Sequence, residues 1–205
     1  IMKILLLANA RTGSTVLYTA LSEIFGLKKY GEPFNYGMRK KAGTLIKKFP
    51  FALQENSIVK TLTRHIPYEY TDNEINFYDH WKRSFDKVIL LGRKNLTDIY
   101  ESQDYYEKED KHKHQRYWHQ RYYYHNPLTF NRVLWKQLTN SYNYLQWYSR
   151  KTHIPITWYE DLYSGDKDKI KKCIDQWDID VNIDHLFEYV NPKKRYRQFT
   201  KQTII

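Results

Sequence analysis

Ile4-Leu5-Leu6-Leu7-Ala8-Asn9-Ala10-Arg11-Thr12-Gly13-Ser14-Thr15 is the stretch that decides the fold. A short apolar run with the character of a buried strand gives way to a small polar loop. Val16, Leu17, Ala20, Leu21, Ile24 and Phe25 then share one face at helical spacing. This order aims the first N–H groups of a helix at whatever lies beyond the end of the strand. Unpaired donors and the positive end of the helix dipole hold phosphate or sulfate there. Arg11 adds a cation that can grip an oxyanion through two hydrogen bonds. Taken alone, the stretch also fits an ordinary strand-to-helix turn with Ser14 as N-cap. The full triphosphate loop G-x-x-x-x-G-K-[ST] is absent, because the loop has one glycine and no lysine precedes Ser14.

The length of 205 residues suits one α/β domain over 1–205, long enough to bury a core without metal or disulfide help. Cys173 is the one cysteine, so an internal disulfide is impossible and a reducing, cytoplasmic compartment is expected. No apolar run is long enough to span a bilayer, and the first residues lack the charged region and cleavage site of a signal peptide. A formal net charge of +11 calls for an anionic partner: a nucleotide, a sulfated or phosphorylated substrate, nucleic acid or a membrane surface. Twenty Tyr and six Trp provide surfaces that stack on bases or sugars, or that fill half-buried sites.

Outward from the opening stretch, residues 3–8 predict a buried parallel strand and 14–25 the first helix, with Gly26 at its C′ position. Residues 28–48 are polar and basic, with a turn at Gly31-Glu32-Pro33-Phe34. Strands are predicted at 57–62, 86–91 and 154–158. Helices are predicted from Asp72 to Phe85, from Asn95 to about Lys108, from an Asn126 cap to about Lys151, over 167–176 and over 183–189. Residues 104–126 form a basic, aromatic helical segment, and the tail from Asn191 is basic. Strands alternating with helices predict a three-layer parallel sheet with right-handed crossovers. Ligands in such sheets bind beyond the carboxyl ends of the strands, which puts the Arg11 loop, Lys60, Arg93 and Tyr159 on one rim.

Three of these stretches resemble the motifs of the PAPS-dependent sulfotransferases, in that family's order and over roughly residues 3–162. (PAPS is 3′-phosphoadenosine 5′-phosphosulfate.) A-R-T-G-S-T is similar to the family's 5′-phosphosulfate loop, L-L-G-R-K-N-L-T-D-I-Y-E-S to its 3′-phosphate motif, and I-T-W-Y-E-D-L to its late strand motif. The resemblance implies a P-loop-like sulfotransferase fold. It also implies Arg11, Thr12, Gly13, Ser14 and Thr15 around the phosphosulfate, Arg93 and Ser102 on the 3′-phosphate, and Tyr159 near adenine. V-K-T at Lys60 is similar to the family's I-K-T, so Arg11 and Lys60 are the candidate stabilisers of transferred charge. Glu32 in G-E-P-F matches a glutamate of bacterial carbohydrate sulfotransferases and is preferred as the base. His65 in H-I-P is the second candidate, because Leu62 stands where the cytosolic branch has its histidine. Arg11 in place of a lysine, and Val16 in place of an aromatic, resemble the bacterial and carbohydrate-type branch. The family's closing R-K-G is missing; Lys193-Lys194-Arg195-Tyr196-Arg197 is the substitute, or a solvated charge run.

The implied reaction moves a sulfuryl group to a hydroxyl or amine of a carbohydrate or other small acceptor. Two other classes compete with this reading. A P-loop-like kinase lacks its Gly-Lys pair and a clear magnesium aspartate. A nucleic-acid binder has only pI ≈ 9.4 and the aromatics behind it. His112, His114, His119 and His125 have no thiol or carboxylate framework at zinc spacing, so no metal is expected.

Overall fold

A computed structural model describes residues 2–33, 53, 55–65, 84–103 and 130–191. The helix predicted from Asp72, the basic aromatic segment 104–126 with its four histidines, and the basic tail beyond Asn191 lie outside the described residues. Elements are numbered among the described residues.

The central strand β1 (Lys3–Ala8) is flanked in parallel by β3 (Ser57–Leu62) and β4 (Lys87–Gly92). A two-residue β2 (Lys28–Lys29), not anticipated from the sequence, adds to β3. A short β5 (Ile156–Trp158) adds to β4 and completes a parallel sheet of order β2-β3-β1-β4-β5. Ile4 to Ala8 are 0% exposed, as a middle strand covered on both faces must be, and this explains why the run does not alternate with polar residues.

The period of two along each strand sorts its side chains to opposite faces. Ile4, Leu6, Ile58, Ile89 and Leu91 join one cluster with Leu17 and Leu21 of α1 (Ser14–Phe25). Ile170 and Ile174 of α5 (Lys167–Asp175) and Leu186 of α6 (Ile183–Val190) complete that cluster. Leu5, Leu7, Val59 and Leu90 meet Leu145 and Tyr148 of α3 (Arg132–Thr152) on the other face. The result is the expected three-layer α/β fold, a parallel sheet flanked by helices on both faces.

Several predicted boundaries move. Helix α3 begins at Arg132, where Asn131 accepts the Leu134 amide at 3.0 Å, and not after Asn126. Phe85 is a buried, non-helical residue just before β4 and not a helix end. Strand β5 starts only at Ile156, because Pro155 has no amide to give a ladder. Residues 96–103 are helical (α2) after Asn95, whose Oδ1 accepts from the Thr97 amide at 2.9 Å. A one-turn helix α4 (Tyr159–Leu162) follows β5. No helix among the described residues is long and apolar enough to cross a membrane.

Cys173 sits in the α5 layer, 4% exposed, and burial pushes its thiol up to about 11. At pH 8 roughly one thiol in a thousand is then ionised. Ellman's reagent should leave the native protein unmodified and react promptly once urea unfolds it. Prompt reaction of the native chain would show that this layer is open.

Candidate functional site

All the strands run the same way, so the chain leaves β1, β3 and β4 along one rim. A cleft of about 990 Å³ lies there. Its lining includes Arg11, Thr12, Gly13, Ser14, Thr15, Glu32, Lys60, Arg93, Ser102 and Tyr159. The rim expected from topology is therefore a real cavity, and every candidate residue borders it except His65, which stands behind Glu32 with Nδ1 3.6 Å from its carboxylate.

The loop from Asn9 to Gly13 is held in an uncommon backbone conformation. Arg11 has φ 58° and Gly13 φ 72°, both in the left-handed region. A non-glycine residue rarely rests there without surroundings that impose it. Those surroundings are polar and buried. The Asn9 amide nitrogen donates to Thr63 Oγ1 at 3.1 Å and to the Ser141 carbonyl at 3.0 Å, while its backbone N–H donates to Leu91 O at 3.1 Å. Thr12 Oγ1 closes the loop onto Asn9 O at 2.9 Å. Gly13, not Ser14, is the N-cap of α1, and no side chain caps the helix. Ser14 and Thr15 thus form its first turn with their hydroxyls at the cleft, where the positive end of the helix dipole acts.

Two groups of side chains flank this loop. On the β3 side, Lys60 is 8% exposed, with Nζ 2.9 Å from Thr15 Oγ1 and 2.7 Å from Glu32 Oε1. Lysine at this depth requires such a partner. The Glu32 segment is itself anchored: Gly31 N–H donates to Tyr18 Oη at 2.6 Å, and Lys60 N–H donates to Gly31 O at 3.1 Å. Burial raises the Tyr18 phenol above its usual value, so it stays neutral as that acceptor. On the β4 side, Arg11 Nε donates to Ser102 Oγ at 3.2 Å. Arg93 lies over the Tyr159 ring, 4.6 Å from its centroid, and donates through Nη1 to Asp98 O at 3.3 Å. Its Nε is buried without a hydrogen-bond partner among the described residues. The Glu160 carboxylate is 3.7 Å away, beyond hydrogen-bond reach, and is taken by the Lys94 amide. An arginine on the cleft wall is suited to an anionic oxygen.

The sequence reading missed four contributors. Asn9, Tyr18 and Arg64 were given no role from the sequence, yet Asn9 and Tyr18 anchor the walls of the cleft and Arg64 borders it. Tyr163 stacks on Tyr159 with centroids 4.8 Å apart, and its hydroxyl donates to Gly13 O at 2.7 Å. The Asx-like position directly after a buried strand was the available signal for Asn9. Nothing in the local sequence marks the other three. The candidate zinc histidines and Lys193 to Arg197 lie outside the described residues, and among the described residues no cluster of three metal-binding side chains occurs.

No protein-family model matches this sequence, and no curated protein is similar to it. Among solved structures, a deoxyadenosine kinase from M. mycoides with bound dCTP is similar at TM-score 0.40 and 17% identity, over 85% of this chain and 98% of that one. The same kinase with bound dATP gives TM-score 0.41 and 15% identity, over 86% and 98%. Likeness at that level says nothing about substrate or reaction.

A Cβ on Gly13 would sit 2.7 Å from Tyr163 Cζ and 2.8 Å from its hydroxyl, at a φ that L side chains avoid. Gly13→Ala should therefore destabilise the fold by more than about 1 kcal/mol in urea titration. Tyr163→Leu should recover part of the loss, the clash, and leave the backbone strain. An unchanged urea midpoint in Gly13→Ala would mean the loop is not held as described.

Proposed function

We propose that this chain is a sulfotransferase, moving a sulfuryl group from 3′-phosphoadenosine 5′-phosphosulfate to a hydroxyl or amine of a carbohydrate or other small molecule. The observation that carries this reading is one cleft with cations on both sides of an anion-binding helix start: Lys60 at Thr15 on one side, Arg93 with Arg11 and Ser102 on the other. Two separated cationic centres suit a nucleotide with phosphate at both its 5′ and 3′ positions. Arg93, on the cleft wall beside Ser102, fits the second phosphate.

The bound co-substrate would supply an activated sulfuryl group. The chain's part is positioning and charge. The α1 start, with Ser14 and Thr15, holds the 5′-phosphate, and Arg11 and Lys60 stabilise charge that builds on it. Tyr159, already backed by Tyr163 and Arg93, offers a ring for the adenine. Glu32 borders the cleft and His65 stands behind it, so Glu32 takes the acceptor proton and His65 orients the carboxylate. Lys60 links the two tasks, since one ammonium touches both the base and the loop.

Phosphoryl transfer from a nucleoside triphosphate is the second reading. Asp98 and Glu101 on the cleft wall favour it, as carboxylates able to hold magnesium. Calorimetry separates the two: adenosine 3′,5′-bisphosphate should bind without magnesium and more tightly than ATP. Tighter binding of magnesium–ATP would turn the assignment to a kinase.

Arg93→Ala should weaken the bisphosphate by about 1.5–3 kcal/mol, roughly ten- to a hundredfold, as for one charged hydrogen bond. Unchanged affinity would remove Arg93 from the site. Glu32→Gln should keep nucleotide binding and lower turnover by about a hundredfold or more. Retained turnover would transfer the base to His65.

A further inference from the structure

Tyr163 joins two parts of the cleft wall. It follows the one-turn helix α4, and its amide donates to the Tyr159 carbonyl at 2.9 Å. A spacing of four residues puts both rings on one side of that turn, where they stack with centroids 4.8 Å apart. The far end of the Tyr163 ring reaches the loop after β1. Its hydroxyl donates to Gly13 O at 2.7 Å, and the ring fills the space that a Cβ on residue 13 would need. Glycine and tyrosine are therefore matched: only a residue without a side chain lets the phenol come this close.

The Gly13 carbonyl does not lack donors. It already accepts from Val16 N–H at 2.9 Å and Leu17 N–H at 3.2 Å, the first bonds of α1. Tyr163 is a third donor to one oxygen, beyond what burial of that carbonyl requires. Its effect falls on the rest of the peptide group. A trans peptide points its N–H opposite to its C=O. The Gly13 carbonyl points into α1, so the Ser14 N–H points out of the helix start, and Ser14 borders the cleft. Electron density drawn toward the hydroxyl leaves that N–H more positive, as each bond in a chain of hydrogen bonds strengthens the next. The chain runs from the Tyr163 O–H through the Gly13–Ser14 peptide to an oxygen of the ligand. The stack on Tyr159 holds the hydroxyl in place before any ligand arrives.

We infer that Tyr163 is a positioning residue for the 5′-phosphate: its hydroxyl polarises the Gly13–Ser14 peptide and tightens the hold of the α1 start on the anion. The inference rests on the sulfotransferase reading for the identity of the nucleotide. The relay itself acts on any phosphate seated at Ser14.

The test is calorimetry with adenosine 3′,5′-bisphosphate and with adenosine 3′-phosphate, directly or by displacement. The ratio of the two affinities isolates the 5′-phosphate. Tyr163→Phe keeps the ring and its stack and removes only the donor. It should lower the ratio by about threefold or more, as one charged hydrogen bond weakens, and leave adenosine 3′-phosphate binding unchanged. 3-Fluorotyrosine in place of Tyr163 is a stronger donor of nearly the same shape. It should raise the ratio at about pH 6.5, where the phenol is neutral. A ratio unchanged in Tyr163→Phe would overturn the inference. So would equal weakening of both ligands, which is what support of the fold or of the base platform alone would give. If Tyr163→Phe does not fold, the fluorinated protein decides, and a ratio no higher than that of the wild type overturns the inference. Failure of the wild type to bind the bisphosphate is a separate result that sinks the sulfotransferase reading. The ratio is then taken between magnesium–ATP and adenosine, with the same expectations for both variants. Binding of neither nucleotide would overturn the inference along with that reading.

Discussion

The buried amide of Asn9 fixes the rim of this protein. Asn9 is 2% exposed and reaches three elements that are far apart in sequence: its backbone N–H donates to Leu91 O of β4, and its side-chain nitrogen donates to Thr63 in the turn after β3 and to Ser141 of α3. Buried N–H donors cost free energy unless they are bonded, so the acceptors of these donors are constrained along with them. The loop that follows has no freedom to relax. Arg11 and Gly13 are held in left-handed backbone, α1 starts without a side-chain cap, and its dipole end faces the cleft. The site is thus a consequence of how the strand ends are bound together, and strain in the loop is offset by the network behind it.

The second dependence is electrostatic. Lys60 arises from a strand whose neighbours on that face are Ile58 and Leu62, so its ammonium has to be led out of the core to a partner. Glu32 and Thr15 are those partners. The same pair holds the base candidate within one side chain of the anion loop. Replacing either residue would leave the other charge partly buried and unpaired, so structural and chemical effects are coupled there. Tyr18 strengthens the link through the Gly31 amide.

Much of the fold was legible because its signals are local. Strands β1 and β3 and helix α1 fall on the residues their patterns predict, since buried parallel strands read as continuous apolar runs and α1 ends at Gly26 in left-handed backbone. Boundaries failed where two signals competed. Asn126 and Asn131 are both plausible caps from sequence, and the helix that forms is capped by Asn131 through the Leu134 amide. β2 was invisible because two exposed lysines carry no strand pattern; β3 beside them supplies the hydrogen bonds.

By itself the sequence determined the order of strands and helices, the loop chemistry around Arg11 to Thr15, and the candidate residues Glu32, Lys60, Arg93, Ser102 and Tyr159. Periodicity acts over a few residues, and that range is enough for the elements and the loop; the candidate residues come from the resemblance of short motifs to the sulfotransferases. Tertiary structure alone decided which of them meet. It paired Lys60 with Glu32, set Arg93 on Tyr159, put His65 behind Glu32 and brought Arg64 to the same cleft. Those relations depend on strand order and register, in which residues from separate segments become neighbours across the sheet. No local pattern encodes such distances, because they are fixed only when the two faces of the sheet are buried together.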